Sequence, residues 1–416
     1  MSPALLALLA LLITLALSMM TRVNVGLVAM SLTWAIGVYA AGLKPDVLIA
    51  GFPSALFITL FGVTALFAVA KANGTLERLA RRAARGVRGR VGLLPILFFA
   101  LAFALSATGP GAIASVALVA PLAMPTGGRA GVPHLLTAVM VGTGANAGNL
   151  SPISTTGAMV GTLLNRMSLG GNGGRIFAAM FVAHLGAALG AYVLFGGVRL
   201  LRLSDAARLE TQTEPLARRH WVTIAVTGLW IVAVIFVHVH VGLAAIGAAT
   251  LLILLRAADE RETIRSIPFD VILMVCGVSM LIALLETTGG LDLFTTMLGR
   301  LATPATLPGM IAFVTGVVSS YSSTLGVVLP TFVPMAPSLV LQAGGGDAVA
   351  VTIAIIVGAS LVDVSPLSTL GALCVGSVSD QRESRRLFGQ LMIWGLSMSI
   401  VGALFCQVFA AYFARL

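Results

Sequence analysis

Apolar segments long enough to cross a bilayer follow one another along almost the whole chain. They fall near residues 3–20, 24–42, 52–70, 92–124, 133–164 and 176–198. After a polar stretch from Arg199 to His220 they resume near 221–237, 241–255, 267–285, 308–341, 348–376 and 387–414. A helix spans the hydrocarbon core with about 20 apolar residues, whereas a barrel strand needs only about 10. These segments therefore read as helices. The composition agrees, with 58% hydrophobic and only 10% charged residues among 416. A soluble globule could not bury that much apolar surface, and a disordered chain would not carry it. The fold class is all-α integral membrane. Cys276, Cys374 and Cys406 all lie inside apolar runs, with neither disulfide nor zinc spacing. The net charge of +10 comes from Arg flanking the spans, which points to lipid and not to nucleic acid as the basic face's partner.

Two runs, 92–124 and 308–341, are too long for one crossing, and each is interrupted by small and polar residues, at Ser106–Gly111 and Ser319–Gly326. A segment that enters, breaks and leaves on one side is a re-entrant hairpin. Non-helical backbone at that depth survives only against protein or a water-filled cavity. With two such hairpins, ten helices cross and both termini lie outside. All but five of the 25 Lys and Arg residues then fall inside, the five being Lys44, Arg166, Arg175, Arg300 and Arg415. That is the asymmetry expected of a multi-pass inner-membrane protein. If either hairpin crossed fully, later loops would change side and the asymmetry would collapse. Residues 71–90, KANGTLERLARRAARGVRGR, place Leu and Ala at helical spacing among Arg, as an amphipathic helix on the cytoplasmic surface does.

The two halves match at a nearly constant offset. Asn24-Val-Gly-Leu27 pairs with His240-Val-Gly-Leu243, Phe52-Pro53…Gly62-Val63 with Ile267-Pro268…Gly277-Val278, and Gly74-Thr-Leu-Glu77 with Gly289-Gly-Leu-Asp292. The strongest pair is GANAGNLSPISTTGA (Gly144–Ala158) and GASLVDVSPLSTLGA (Gly358–Ala372), identical at eight of 15 positions. Residues 1–200 form a first repeat, 201–220 a cytoplasmic linker and 221–416 a second repeat. Each repeat holds five crossings and one hairpin. Five is odd, so the second repeat must be inverted, which is an architecture of secondary transporters with binding at the midplane.

The polar residues inside the apolar runs are the candidate site. Residues 144–157 carry Asn146, Asn149, Ser151, Pro152, Ser154, Thr155 and Thr156. Proline and nearby glycines predict two half-helices joined by an unwound link. Unwound carbonyls can coordinate a cation, and half-helix N-termini attract anions. The second copy is Asp363-Val-Ser-Pro-Leu-Ser-Thr369. The hairpin breaks add Thr108, Gly109, Pro110 and Gly111 in the first half and Ser322, Ser323 and Thr324 in the second. The second tip is richer in hydroxyls, so the site should be lopsided. Asp363 is the acidic residue set deepest in an apolar segment, and such a residue marks a functional site by default. His184 reads as a packed histidine bonded to a carbonyl, and Glu286 as an interfacial helix end.

These features together resemble the ion transporter superfamily and its divalent anion–sodium symporter branch. GANAGNLSPISTTGAMV is similar to dicarboxylate carriers of the MatC type, for malonate or C4-dicarboxylates. The resemblance implies a homodimer whose first three helices per repeat form a scaffold. Hairpins and remaining helices would move as an elevator, with residues 74–90 and 289–302 as connecting arms. The branch carries Ser-Asn-Thr at each tip, touching the substrate carboxylate and sodium. Here the second tip reads Ser322-Ser323-Thr324, and the first departs from the pattern at Gly109-Pro110-Gly111. Thr-Pro in the broken helices becomes Ser151-Pro152 and Ser365-Pro366.

The expected function is symport of a small dicarboxylate with sodium or protons, with no cofactor other than the transported cation. The substrate set is Thr108, Asn146, Asn149, Ser151, Ser322, Ser323, Thr324, Ser365 and Thr369; the coupling set is Asp363, Asn149 and Ser323. No Lys or Arg is available at the midplane, so hydroxyls, amides, half-helix N-termini and a co-bound cation must hold the anion. A cation–proton antiporter or oxyanion exporter of the same superfamily is the alternative, with Asp363 as carrier. An intramembrane enzyme finds little support. Neither Ser151 nor Ser365 sits in a nucleophile elbow, and an aspartyl dyad would need a second buried Asp. A passive channel would dissipate a gradient without ion coupling.

Overall fold

A computed structural model describes residues 2–20, 23–84, 91–201, 215–237, 239–267, 269–291, 293, 296, 302–321, 323–378 and 380–416. Among these the regular structure is helical throughout. The first half contains α1 (Pro3–Met20), α2 (Val25–Ala35), α3 (Ser54–Ala72), α4 (Thr75–Ala84) and α5 (Leu93–Ala107). It continues with α6 (Gly111–Arg129), α7 (His134–Gly148), α8 (Thr155–Arg166) and α9 (Gly173–Leu194). The second contains α10 (Arg218–Val232), α11 (Val241–Leu254), α12 (Phe269–Thr288) and α13 (Leu307–Tyr321). It ends with α14 (Thr324–Gln342), α15 (Ala348–Leu361), α16 (Thr369–Gly376) and α17 (Gln381–Arg415).

Both breaks in the long runs occur where the small and polar residues predict them, between α5 and α6 and between α13 and α14. Both Ser-Pro segments split their helices, separating α7 from α8 and α15 from α16. Among the described residues, α6, α9, α14 and α17 are long and apolar enough to cross a membrane, by length and composition alone. Helix α10 starts at Arg218, within the stretch that the sequence reading takes as linker. The amphipathic arm is helical over Thr75–Ala84, and residues 85–90 lie outside the described residues. So does most of the second expected arm.

The molecule is apolar outside as well as in its core, and a minority of polar side chains is buried. Leu194, Phe236, Leu254, Leu404 and Val408 are exposed, while Ser115, Thr137, Asn146 and His184 are buried. An exterior as apolar as the core is what a lipid solvent selects.

The two halves interlock. Helix α2 packs on α12, and α3 packs on α11. A methyl group on Gly26 would strike the Leu273–Met274 backbone, and one on Gly277 would strike the backbone of Gly26. Gly62 meets the Gly242 backbone, and Gly242 meets the backbone of Ile58 and Thr59. In the repeat Gly26 corresponds to Gly242 and Gly62 to Gly277, so one crossing is made twice. Without a hydrophobic drive between helices in lipid, close backbone approach through glycine supplies the packing. Inside each half the same economy recurs. Gly144 of α7 lies against Phe99 of α5, and Gly358 of α15 lies against Ala312 of α13.

Candidate functional site

The repeated Ser-Pro-x-Ser-Thr-x-Gly-Ala builds the two links. In the first, α7 ends at Gly148 and Ser154 is extended, with φ −79° and ψ 157°. The Ser154 hydroxyl lies 2.6 Å from the Asn149 carbonyl and 2.8 Å from that of Ser151, and its oxygen accepts from the Gly157 N–H at 2.9 Å. One serine thus closes the link and caps α8. Gly157 lies against the Ser151 carbonyl, where a side chain would not fit. In the second link Ser368 bonds the carbonyls of Asp363 and Ser365, and Gly371 lies against the Ser365 carbonyl. The α16 start, however, has no side-chain cap.

The first tip is stitched to its link. Gly111 has φ +78°, and a Cβ there would meet the Thr155 hydroxyl at 2.6 Å. Asn149 Oδ1 accepts from the Ala112 N–H at 2.9 Å and from the Thr156 hydroxyl at 2.8 Å. The Thr155 N–H donates to the Gly109 carbonyl at 3.0 Å. An amide oxygen with two donors is saturated. In the second half Ser323 accepts from the Gly326 N–H at 3.0 Å, and Ser319 and Thr324 share a hydrogen bond of 2.5 Å. The Asp363 carboxylate faces Thr324, Asn146 and Ser368.

A cavity of about 300 Å³ lies between both tips and both links. Of the expected residues, Asn146, Asn149, Ser323, Thr324, Asp363 and Thr369 line it. Three others do not. Thr108 donates to the Leu105 carbonyl at 3.0 Å, Ser151 is buried in the link, and buried Ser365 packs against Gly395 of α17. Ser322 lies outside the described residues. The wall also includes Thr155 and Thr156, which the sequence reading names within the first link, and Ser360, which it does not name although the repeat alignment pairs it with Asn146. Lys71 lies on the wall as well, in the last turn of α3, although the sequence reading places it at the start of the amphipathic helix.

Asn146 is the crossing point of the halves. It is fully buried, its Nδ2 donates to the Ser360 carbonyl at 3.0 Å, and its Oδ1 has no hydrogen-bond partner. On α9, His184 is a buried, packed histidine as expected, with Nδ1 2.9 Å from the Met180 carbonyl.

The fold is all-helical among the described residues, with an apolar exterior and helices long and apolar enough to cross a membrane. It is similar over 99% of this chain and 98% of the other to the YdaH transporter of Alcanivorax borkumensis, whose crystal structure is described as revealing an unusual topology. The TM-score is 0.59 and the identity 17%. Residues 1–149 match the family model described as "Dicarboxylate carrier protein MatC N-terminus". No curated protein sequence matches the chain. Both matches lead to transporters and neither to an enzyme.

Proposed function

We propose that the chain is a secondary transporter that carries a small dicarboxylate, such as malonate or a C4-dicarboxylate, together with sodium or protons across the inner membrane. The observation that carries this reading is the placing of one unpartnered amide oxygen and one carboxylate beside an uncapped half-helix N-terminus in a shared cavity. Asp363, Asn146 Oδ1 and Thr324 offer oxygen ligands to a cation, or Asp363 alone takes a proton. Free N–H groups at the start of α16, with the Thr369 hydroxyl, suit a carboxylate. The first half is the weaker candidate for a cation, because Asn149 Oδ1 already accepts two hydrogen bonds. Hence we infer one coupling site.

An unpaired Asp363 would repel an arriving dianion, so neutralisation of Asp363 comes first and the anion second. The doubled glycine crossings, equivalent in both halves, support an inverted repeat in which α1–α3 and α10–α12 form the scaffold. The re-entrant hairpins and broken helices would then move across the membrane as one unit, in a homodimer. The test is Asp363→Asn in purified protein reconstituted into liposomes. Exchange of labelled malonate should persist while dependence on the driving ion disappears. Full ion-dependent accumulation by this variant would reduce Asp363 to a structural residue and overturn the coupling assignment.

A further inference from the structure

The cavity wall carries two charged side chains, Asp363 and Lys71. Asp363 stands in the link of the second half, and Lys71 on α3. Leu60, Thr64, Phe67, Ala68 and Lys71 form one face of α3, and that face runs down the wall. Phe67 marks its level: its ring fills the space beside Gly109, so it touches the first tip. Lys71 is one turn further, about 6 Å along the helix axis. It is exposed, and the adjoining wall is formed by Leu76 and Ser266, at the face that carries Arg78 and Arg82. The turn behind it is fixed, since the Asn73 amide donates to the Thr223 hydroxyl of α10 at 2.7 Å.

The repeat gives Lys71 a mate of opposite charge. Gly74 corresponds to Gly289, so Lys71 corresponds to Glu286, which ends α12 as Lys71 ends α3. Glu286 does not line the cavity, and the nearby charge that acts on it is Arg166 in the last turn of α8. The two ends of the scaffold are therefore electrostatically unlike.

Resting on the dicarboxylate reading above, we propose that Lys71 is a one-sided anion contact. It binds a carboxylate of the dianion when the cavity faces the basic side, whereas the equivalent position at the other side is the acidic Glu286, with Arg166 beside it and off the cavity wall. An ammonium on a flexible stem suits this role, because it can hold the anion at the mouth and release it. Such a contact also draws anions in at low salt and weakens as salt screens it.

The test is labelled malonate uptake into inside-out and right-side-out membrane vesicles containing the full chain. Lys71→Gln should raise the half-saturating malonate concentration about fivefold at the basic face, with little change at the opposite face. Its salt dependence at the basic face should flatten. Lys71→Cys should behave alike and regain affinity when an aminoethyl thiosulfonate restores the positive charge, but not with the sulfonatoethyl reagent. The three native cysteines are buried, which favours labelling of the new thiol. Equal effects at both faces, or none at either, would overturn the proposal while leaving dicarboxylate transport intact. Failure of the wild-type chain to take up malonate, succinate or any other dicarboxylate would remove the function and this contact with it.

Discussion

Asn149 and Asp363 occupy equivalent positions in the two links and meet opposite surroundings. Asn149 is consumed by structure, holding the Ala112 N–H and the Thr156 hydroxyl. Asn149→Ala should therefore destabilise the fold by about 1–3 kcal/mol, since it strands two donors at the first tip; a thermal melt in detergent reads this. Ser365 and Thr369 separate in the same way. Thr369→Ala should raise the half-saturating dicarboxylate concentration, because Thr369 lies on the cavity wall. Ser365→Ala should leave it unchanged, because the buried Ser365 hydroxyl has no partner and packs at α17. Transport kinetics at equal expression check both, and the reverse ranking would move the site. The sequence could identify Ser365 as special but not why: the same motif that suggests a ligand also builds the link.

At the scale of elements, the breaks were legible and the contacts were not. Proline, glycine and serine inside apolar runs locate the turn after α5, the turn after α13 and both Ser-Pro links, because each either removes a backbone donor or makes unwinding cheap. The irregular start of α14, with its wide turn over Thr324–Val328, left no comparable signal. A repeat reveals which helices are equivalent, not which ones touch, so the pairing of α2 with α12 and of α3 with α11 emerges only in three dimensions. The glycines at those crossings have a testable role. Gly277→Leu should force α12 away from the Gly26 backbone and cost about 1–3 kcal/mol or more. Loss of the monodisperse species in size-exclusion chromatography would report it. Gly186→Leu serves as the control, since a side chain there meets open space.

For the whole molecule, orientation rests on the basic residues that flank the helices, and binding on the cavity between the halves. Single cysteines at Arg129 and Gln342, the exposed last residues of α6 and α14, should label from opposite sides of the membrane; labelling from one side would contradict the inverted arrangement. The most direct measurement is uptake of labelled malonate and succinate by the purified chain in liposomes, with an inward sodium gradient and an inward proton gradient imposed in turn. One of the two gradients should drive accumulation above the outside concentration, and Asp363→Asn should abolish that accumulation while retaining exchange. Equilibration without accumulation under both gradients, or undiminished accumulation by Asp363→Asn, would contradict coupled transport through this site.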